Sequence, residues 1–155
     1  MTRPLRRKDR RMDDSAAMAL LQRGEYGILS TTNGNDQPYG IPVHYAVMDE
    51  TIFFHCATEG QKIDNITANS QVSLCVVGKA HVIPEKFATR YESVIVSGNA
   101  TIVDDPVLRK NALRALIVKY APDHIDAGEA YMDKLFDQTA IIRIAIDHLS
   151  GKARK

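Results

Sequence analysis

The chain has 155 residues, of which 45% are hydrophobic and 25% charged, with a formal net charge of +1. This length fits one domain spanning 1–155, and the composition is that of a soluble globular protein. The near-neutral balance excludes bulk electrostatic attraction to nucleic acid or a membrane surface. The longest apolar runs, such as Val94–Val96, are far too short to cross a bilayer.

The cysteines and the N-terminal segment indicate the setting of the protein. Cys56 and Cys75 are too few for a disulfide framework and do not form a CxxC pair, so we predict reduced thiols and a cytoplasmic location. The segment Arg3–Arg11 is rich in arginine and unlike a signal peptide. Because no aromatic residues are interleaved with its cations, we interpret it as a solvated or salt-bridged tail, not as a contact for nucleic acid.

Periodicity and turn residues predict a mainly β protein with flanking helices. The six predicted strands are Tyr26–Thr32, Tyr39–Met48, Thr51–His55, Gln71–Val77, Glu92–Val103 and Thr139–Ile146. The predicted helices run from Asp13 or Asp14 to Gly24 and over Thr58–Asn69, Val107–Tyr120 and Ala127–Leu135. Short turns between closely spaced strands favour an antiparallel closed or split barrel. Pro42 marks an edge, a bulge or a place where a ligand meets the sheet.

The most informative segment follows the third predicted strand. Thr58, Gly60 and Lys62 lie where that strand ends and a helix begins. Free backbone N–H groups and the positive end of the helix dipole favour an anion there, with Thr58 adding a hydroxyl and Lys62 a compensating charge. The residues predict a phosphate site, and the alternative is an ordinary capped helix with an exposed lysine.

Several segments together resemble one known family. They are Arg6–Arg10, Glu25–Thr31, Gln37–Val43, Phe53–Ile66, Tyr91–Ala100 and Ser150–Lys152. In this order they resemble the FMN-binding split-barrel superfamily of pyridoxamine-phosphate oxidase, and within it the proteins related to nitroimidazole resistance. The resemblance implies a six-stranded antiparallel split β-barrel and a homodimer with FMN at the subunit interface.

The resemblance also implies the residues that contact FMN. Ile41, Pro42 and Val43 would face the flavin ring, with Phe54 and His55 beside the ring or the ribityl chain. Thr58, Gly60 and Lys62 would hold the phosphate. The residues expected to approach from the other side are Tyr91, Ser93 and Lys152.

Two of the histidines, His55 and His44, have two interpretations each. His55, at the end of an apolar strand, is either a hydrogen-bonded structural group or the candidate proton donor to a substrate, since an ordinary histidine pKa is ~6.5. His44 either faces the same cavity or has a structural role. No His, Cys and Asp cluster has metal-ligand spacing, so we predict no metal site.

The residues and the resemblance leave three functions open. The first is an FMN-dependent oxidoreductase acting on a small molecule, with nitroimidazoles or other nitroaromatics as candidate substrates. The second is a flavin-binding or sensing module without turnover, and the third is the same barrel binding haem or a deazaflavin. Pyridoxamine phosphate is not the expected substrate, because the oxidase that acts on it is longer and has a C-terminal arginine signature that this chain lacks.

Overall fold

A computed structural model describes residues 4–155, so Arg3 of the basic segment lies outside it. The described residues form seven strands: β1 (Gly27–Thr32), β2 (Pro38–Val43), β3 (Ala46–Met48), β4 (Thr51–Ala57), β5 (Gln71–Ile83), β6 (Ala88–Ile102) and β7 (Thr139–Arg154). The same part of the chain forms four α-helices: α1 (Asp14–Arg23), α2 (Gln61–Ala68), α3 (Pro106–Tyr120) and α4 (Ile125–Leu135).

The prediction of six strands is wrong because Tyr39–Met48 is not one strand. β2 ends at Val43 and β3 begins at Ala46, which leaves His44 and Tyr45 outside both. β2 pairs with β1, whereas β3 pairs with β4. The two strands therefore lie at opposite edges of the sheet.

The sheet has the order β2-β1-β5-β6-β7-β4-β3, and every neighbouring pair is antiparallel. β2 and β3 are not paired with each other, so hydrogen bonds do not close the sheet within residues 4–155. Only His44 and Tyr45 connect these two edge strands. The sheet must curl until its edges meet at this link, and the result is consistent with a split barrel.

Several strands extend further than the sequence predicts. β5 continues from Val77 to Ile83 and pairs with the start of β6, around a turn at Pro84–Lys86. β7 continues through the polar tail to Arg154, with Lys152 opposite Ser93. These extensions carry polar residues because strands at the rim of a barrel do not need a continuous apolar face.

The helix boundaries follow local chemistry. Asp13 caps α1 by accepting a hydrogen bond from the backbone N–H of Ala16 at 2.7 Å, and Asp105 caps α3. Gly24 ends α1 as predicted, but with φ −57°, not in the left-handed conformation. A Cβ there would collide with the side chains of Val76 and Tyr45, so close approach is what requires glycine. Within residues 4–155, no helix has the length and apolar character needed to cross a bilayer.

Two apolar cores stabilise the fold. The inner core lies inside the curled sheet and is closed by α1 and α2, with Leu20, Leu21, Leu29, Phe54, Leu74 and Ile142 fully buried. The outer core lies between α3 and the opposite face of β4 and β7 and contains Phe53, Val103, Ala112, Leu113 and Ile141. Because successive side chains of β4 point to opposite faces of the sheet, Phe54 faces the inner core while Phe53 faces the helices.

Candidate functional site

Five of the predicted site residues line one recess at the edge of the barrel. The recess has a volume of about 410 Å³ and is bounded by β2, the end of β4, the start of α2 and the start of β7. The residues that line it are Ile41, Pro42, Val43, His44, His55, Cys56, Ala57, Lys62, Gln138 and Thr139. We call this space the flavin recess below, after the cofactor that the sequence resemblance implies. The structure thus brings Ile41, Pro42, Val43, His55 and Lys62 together in one recess.

One wall of the flavin recess is the edge strand β2. Ile41 and Val43 are half-buried and pack against the inner core, while Pro42 between them is exposed. Proline has no N–H to donate, and an edge strand tolerates it because one side of the strand has no partner. The wall therefore presents an apolar surface and backbone carbonyl groups to a ligand.

The start of α2 supplies the positive end of the flavin recess. Gly60 precedes the helix with φ 122° and ψ 168°, a conformation that is essentially restricted to glycine. No side chain of the described residues caps the helix, and the space beside Gly60 is open. Lys62 lines the recess, and Thr58 lies exposed in the turn before it. Free N–H groups, a hydroxyl and an ammonium group form a donor set for an anion.

A buried hydrogen bond holds α2 in place. The Asn65 side-chain amide donates to Oγ1 of Thr31 in β1 at 2.9 Å, and both side chains are buried. The Asn69 amide makes a second bond to Oγ1 of Thr32 at 3.1 Å. These contacts fix the helix against the barrel wall, so the position of its first turn is set by the sheet.

His55 lies between the strand end and the helix start. Its ring is accessible to solvent but sits in a concave part of the surface, and loss of hydration is the main cause that lowers its pKa below the ordinary value. The nearby charges of His44 and Lys62 lower the pKa further. His55 is therefore mostly neutral at pH 7 when no anion is bound.

His44 belongs to the same site, and Tyr120 at the end of α3 positions it. The two rings are stacked, with centroids 4.5 Å apart and planes at 26°. The Tyr120 hydroxyl accepts a hydrogen bond from the Tyr45 backbone N–H at 3.0 Å and lies 2.6 Å from the carbonyl oxygen of Glu25. Lys119 donates to the Tyr45 carbonyl oxygen at 2.9 Å, and burial lowers the pKa of this lysine to about 8. The short link between β2 and β3 is thus held by α3.

None of the other predicted residues lines the flavin recess, although Thr58 and Gly60 lie in the turn just before α2. Phe54 is fully buried in the inner core, so its side chain is not available to a ligand in this recess. Tyr91, Ser93 and Lys152 lie in the central strands β6 and β7, where Ser93 is opposite Lys152. The Lys152 ammonium lies 5.8 Å from the centroid of the Tyr91 ring. A hydrogen bond from Arg10 is the main cause that lowers the Tyr91 pKa, and Lys152 adds to it.

Sequence reasoning missed several residues of the flavin recess. Thr139 lies opposite Ala57 because β4 pairs with β7, and Gln138 directly precedes it. Such pairing joins segments far apart in the chain and leaves no local signal in the sequence. The sequence predicts Tyr120 at the end of a helix but does not indicate its contact with His44. Within residues 4–155, no group of three or more His, Cys, Asp or Glu side chains has an arrangement that could hold a metal ion.

The curled antiparallel sheet and its flanking helices are consistent with the split-barrel class of proteins. A family model described as pyridoxamine 5'-phosphate oxidase matches residues 13–153. The chain belongs to this family, and the resemblance found in the sequence is confirmed. A search of curated proteins finds no match.

Solved structures of low sequence identity share this fold. A candidate 5-nitroimidazole antibiotic resistance protein from Bacteroides thetaiotaomicron VPI-5482 has a TM-score of 0.77 and 18% identity over 92% of this chain and 85% of its own. A FAD-binding protein from Mesorhizobium loti has a TM-score of 0.68 and 22% identity over 94% and 98%. The FAD and haem binding protein from Mycobacterium smegmatis has a TM-score of 0.79 and 17% identity over 92% and 72%.

Proposed function

We propose that the protein binds FMN in the flavin recess, with the phosphate at the start of α2 and the ring against β2. The observation that carries this proposal is that Lys62, in the uncapped first turn of α2, lines the same recess as the apolar wall of β2. A single donor set of this kind matches the one terminal phosphate of a mononucleotide. The donors present therefore fit the group.

Each part of the recess has a distinct role in this proposal. Gly60 lets the phosphate approach the backbone, and Lys62 compensates its charge. Pro42 and its neighbours orient the ring and exclude water from one of its faces. FMN, when bound, supplies the redox chemistry. His55 holds a proton on a ring nitrogen facing the recess and donates it to the reduced substrate, and the anionic phosphate raises its pKa toward the range in which it is protonated.

We further propose that the working form is a homodimer with FMN at the subunit interface. The outer face of the sheet carries the exposed side chains of Ile28 (39%), Val77 (58%) and Ile95 (47%). Register aligns Ile28 with Cys75 and Cys75 with Ile95, so an apolar row crosses three adjacent strands. A second copy is a natural cover for such a row.

The second copy also gives a role to the remaining predicted residues. Tyr91 and Ser93 lie on the same face of β6 as Ile95, and Lys152 lies opposite Ser93 in β7. They therefore lie on the face that the dimer would cover. Packing of two such faces would let Tyr91, Ser93 and Lys152 of one subunit reach the flavin recess of the other.

We propose that the reaction is the reduction of a small organic molecule, with nitroaromatic compounds, nitroimidazoles among them, as candidate substrates. The fold shared with the Bacteroides protein supports this choice.

The first experiment is an absorption spectrum of the purified protein, followed by titration with FMN. Flavin bands, or submicromolar FMN binding that Lys62→Ala weakens at least tenfold, would support the proposal. Lys86→Ala, in the turn between β5 and β6, is the matched control and should bind FMN like the wild type. A Soret band would indicate that the protein binds haem and not FMN. Absence of FMN binding would overturn the flavin proposal.

A second experiment separates a reductase from a flavin-binding module without turnover. The FMN-loaded protein is reduced with dithionite and mixed with a 5-nitroimidazole, and flavin absorbance is followed over time. Reoxidation that accelerates with nitroimidazole concentration supports the reductase. No acceleration over buffer would assign the protein to flavin storage or sensing.

A further inference from the structure

A second cavity lies beside the flavin recess, between the helices α3 and α4 and the outer face of the sheet. Its volume is about 320 Å³. Its walls are largely apolar and include Leu113, Leu116, Ile117, Met132 and Leu135. We call this space the helix cavity.

The helix cavity exists because α4 packs loosely. None of the residues of α4 is buried, whereas α3 buries four. Gly128 of α4 lies close to α3, since a Cβ there would be 2.9 Å from the Ile117 side chain. Protein interiors are normally filled to the density of organic crystals. An apolar space of this size next to a candidate site therefore points to a ligand and not to imperfect packing.

The helix cavity and the flavin recess share a boundary. His44, His55 and Thr139 line both spaces. The Thr139 hydroxyl is already engaged, since it donates to the Leu135 carbonyl oxygen at 2.9 Å. The two imidazoles are thus the polar groups available at the junction. A molecule in the helix cavity would have its apolar body between the helices and its polar end at His44 and His55.

We propose that the helix cavity binds uncharged aromatic molecules of one or two rings. This inference rests on the proposed function and names its substrate class. A dry cavity of ~150 Å³ lined by Leu, Ile and Phe holds one benzene molecule, so about twice that volume accommodates a substituted or two-ring compound. Among the described residues, no carboxylate, ammonium or guanidinium group lines the helix cavity. While His55 is neutral, a charged aromatic molecule would lose its hydration there without compensation.

The test compares two probes of nearly equal shape, neutral nitrobenzene and anionic benzoate. The protein is labelled with ¹³C at the methionine methyl groups and titrated at pH 8, before and after addition of FMN. Met132 lines the helix cavity, whereas Met12 and Met18 lie elsewhere and serve as internal controls. Nitrobenzene should shift the Met132 signal alone, with an affinity at least tenfold higher than that of benzoate. An unmoved Met132 signal, or equal affinity for the two probes, would overturn the inference.

Substitutions that fill the helix cavity provide the second readout. Ala121→Phe, at the end of α3, should weaken nitrobenzene binding at least tenfold, and Leu135→Phe fills the same space from α4. Val118→Phe, on the exposed side of α3, is the matched control and should change the affinity less than twofold. Unchanged binding in both filled variants would contradict the proposal, provided that their spectra remain dispersed.

The FMN titrations keep the two proposals apart. Nitrobenzene binding without FMN binding would contradict the proposed function but still support a ligand site in the helix cavity. FMN binding without nitrobenzene binding would support the flavin proposal but contradict the proposed substrate class.

Discussion

The rings of His44 and Tyr120 are stacked, with centroids 4.5 Å apart, at the junction of the flavin recess and the helix cavity. This contact joins the link between the two edge strands to the end of α3. The same tyrosine is hydrogen-bonded to Tyr45 through its hydroxyl. A residue on an outer helix therefore determines how the barrel edges meet beside the candidate site.

Tyr120→Phe tests the hydroxyl while retaining the stacked ring. The substitution leaves the Tyr45 backbone N–H without its partner, and an unsatisfied buried donor costs about 1–3 kcal/mol. We expect urea unfolding to show a loss of this size in the free energy of unfolding. Tyr131→Phe, at a tyrosine that is 66% exposed, should stay within about 0.5 kcal/mol of the wild type. Equal stability of both variants would show that the hydroxyl does not hold the link.

Gly60→Ala tests the backbone conformation before α2. The space beside Gly60 is open, so the cost comes from φ 122° and not from a clash. We expect a loss of about 1–3 kcal/mol in the free energy of unfolding, together with at least tenfold weaker FMN binding. The Cβ added by Gly34→Ala would also lie in open space, but Gly34 does not have a positive φ. That variant should therefore behave like the wild type in both measurements.

Local chemistry predicted the starts of α1 and α3, but α2 begins at Gln61 and not at Thr58, and α4 begins at Ile125 and not at Ala127. Long-range pairing could not be predicted. Asp13 and the pair Asp105–Pro106 have capping side chains and a fixed φ at the required positions, and both helices begin there. No capping residue or other local signal marks the break between β2 and β3 at His44 and Tyr45. It arises because β2 and β3 pair with different strands, a property of the whole sheet and not of the segment.

The pH dependence of turnover tests His55 as the proton donor. A donor must be protonated, and a lowered pKa means that the protonated fraction falls as pH rises through a value below ~6.5. For the dithionite-reduced protein, we expect the second-order rate constant with a 5-nitroimidazole to fall about tenfold per pH unit above that pKa. If bound FMN raises the pKa, the profile moves to higher pH without changing its direction.

His55→Gln should lower this rate about 10²–10⁴-fold and remove the pH dependence. His81→Gln, in the extended part of β5, is the control and should retain the wild-type profile. An unchanged profile in His55→Gln would assign His55 a structural role.

Ile95→Glu tests the outer sheet face as the dimer interface. Burial of a carboxylate in an apolar interface without a partner is unfavourable, so we expect a monomer by light scattering at micromolar concentration. FMN binding should weaken at least tenfold if the second subunit contributes to the site. Ile102→Glu is the control, because Ile102 is 43% exposed on the same strand but has the opposite parity. A wild-type protein that is already monomeric would contradict the proposed dimer.

The candidate site was predictable to the extent that its residues are close in sequence. Thr58, Gly60 and Lys62 follow one strand within a few positions, and their pattern indicates an anion site by itself. Phe54 shows the limit of this reasoning. It precedes His55 directly, but strand alternation turns its side chain into the inner core. The contribution of Thr139 depends on its pairing with Ala57, which only the folded sheet reveals.

The measurement that tests the central claim most directly is a comparison of FMN and riboflavin binding by isothermal titration calorimetry. The two ligands share the ring and the ribityl chain, and riboflavin lacks the phosphate. Since charge-assisted hydrogen bonds contribute about 1.5–3 kcal/mol each, we expect FMN to bind at least about 100-fold more tightly. Lys62→Ala should reduce this ratio at least tenfold. Equal affinity for FMN and riboflavin, or a ratio that Lys62→Ala leaves unchanged, would contradict a phosphate site at the start of α2.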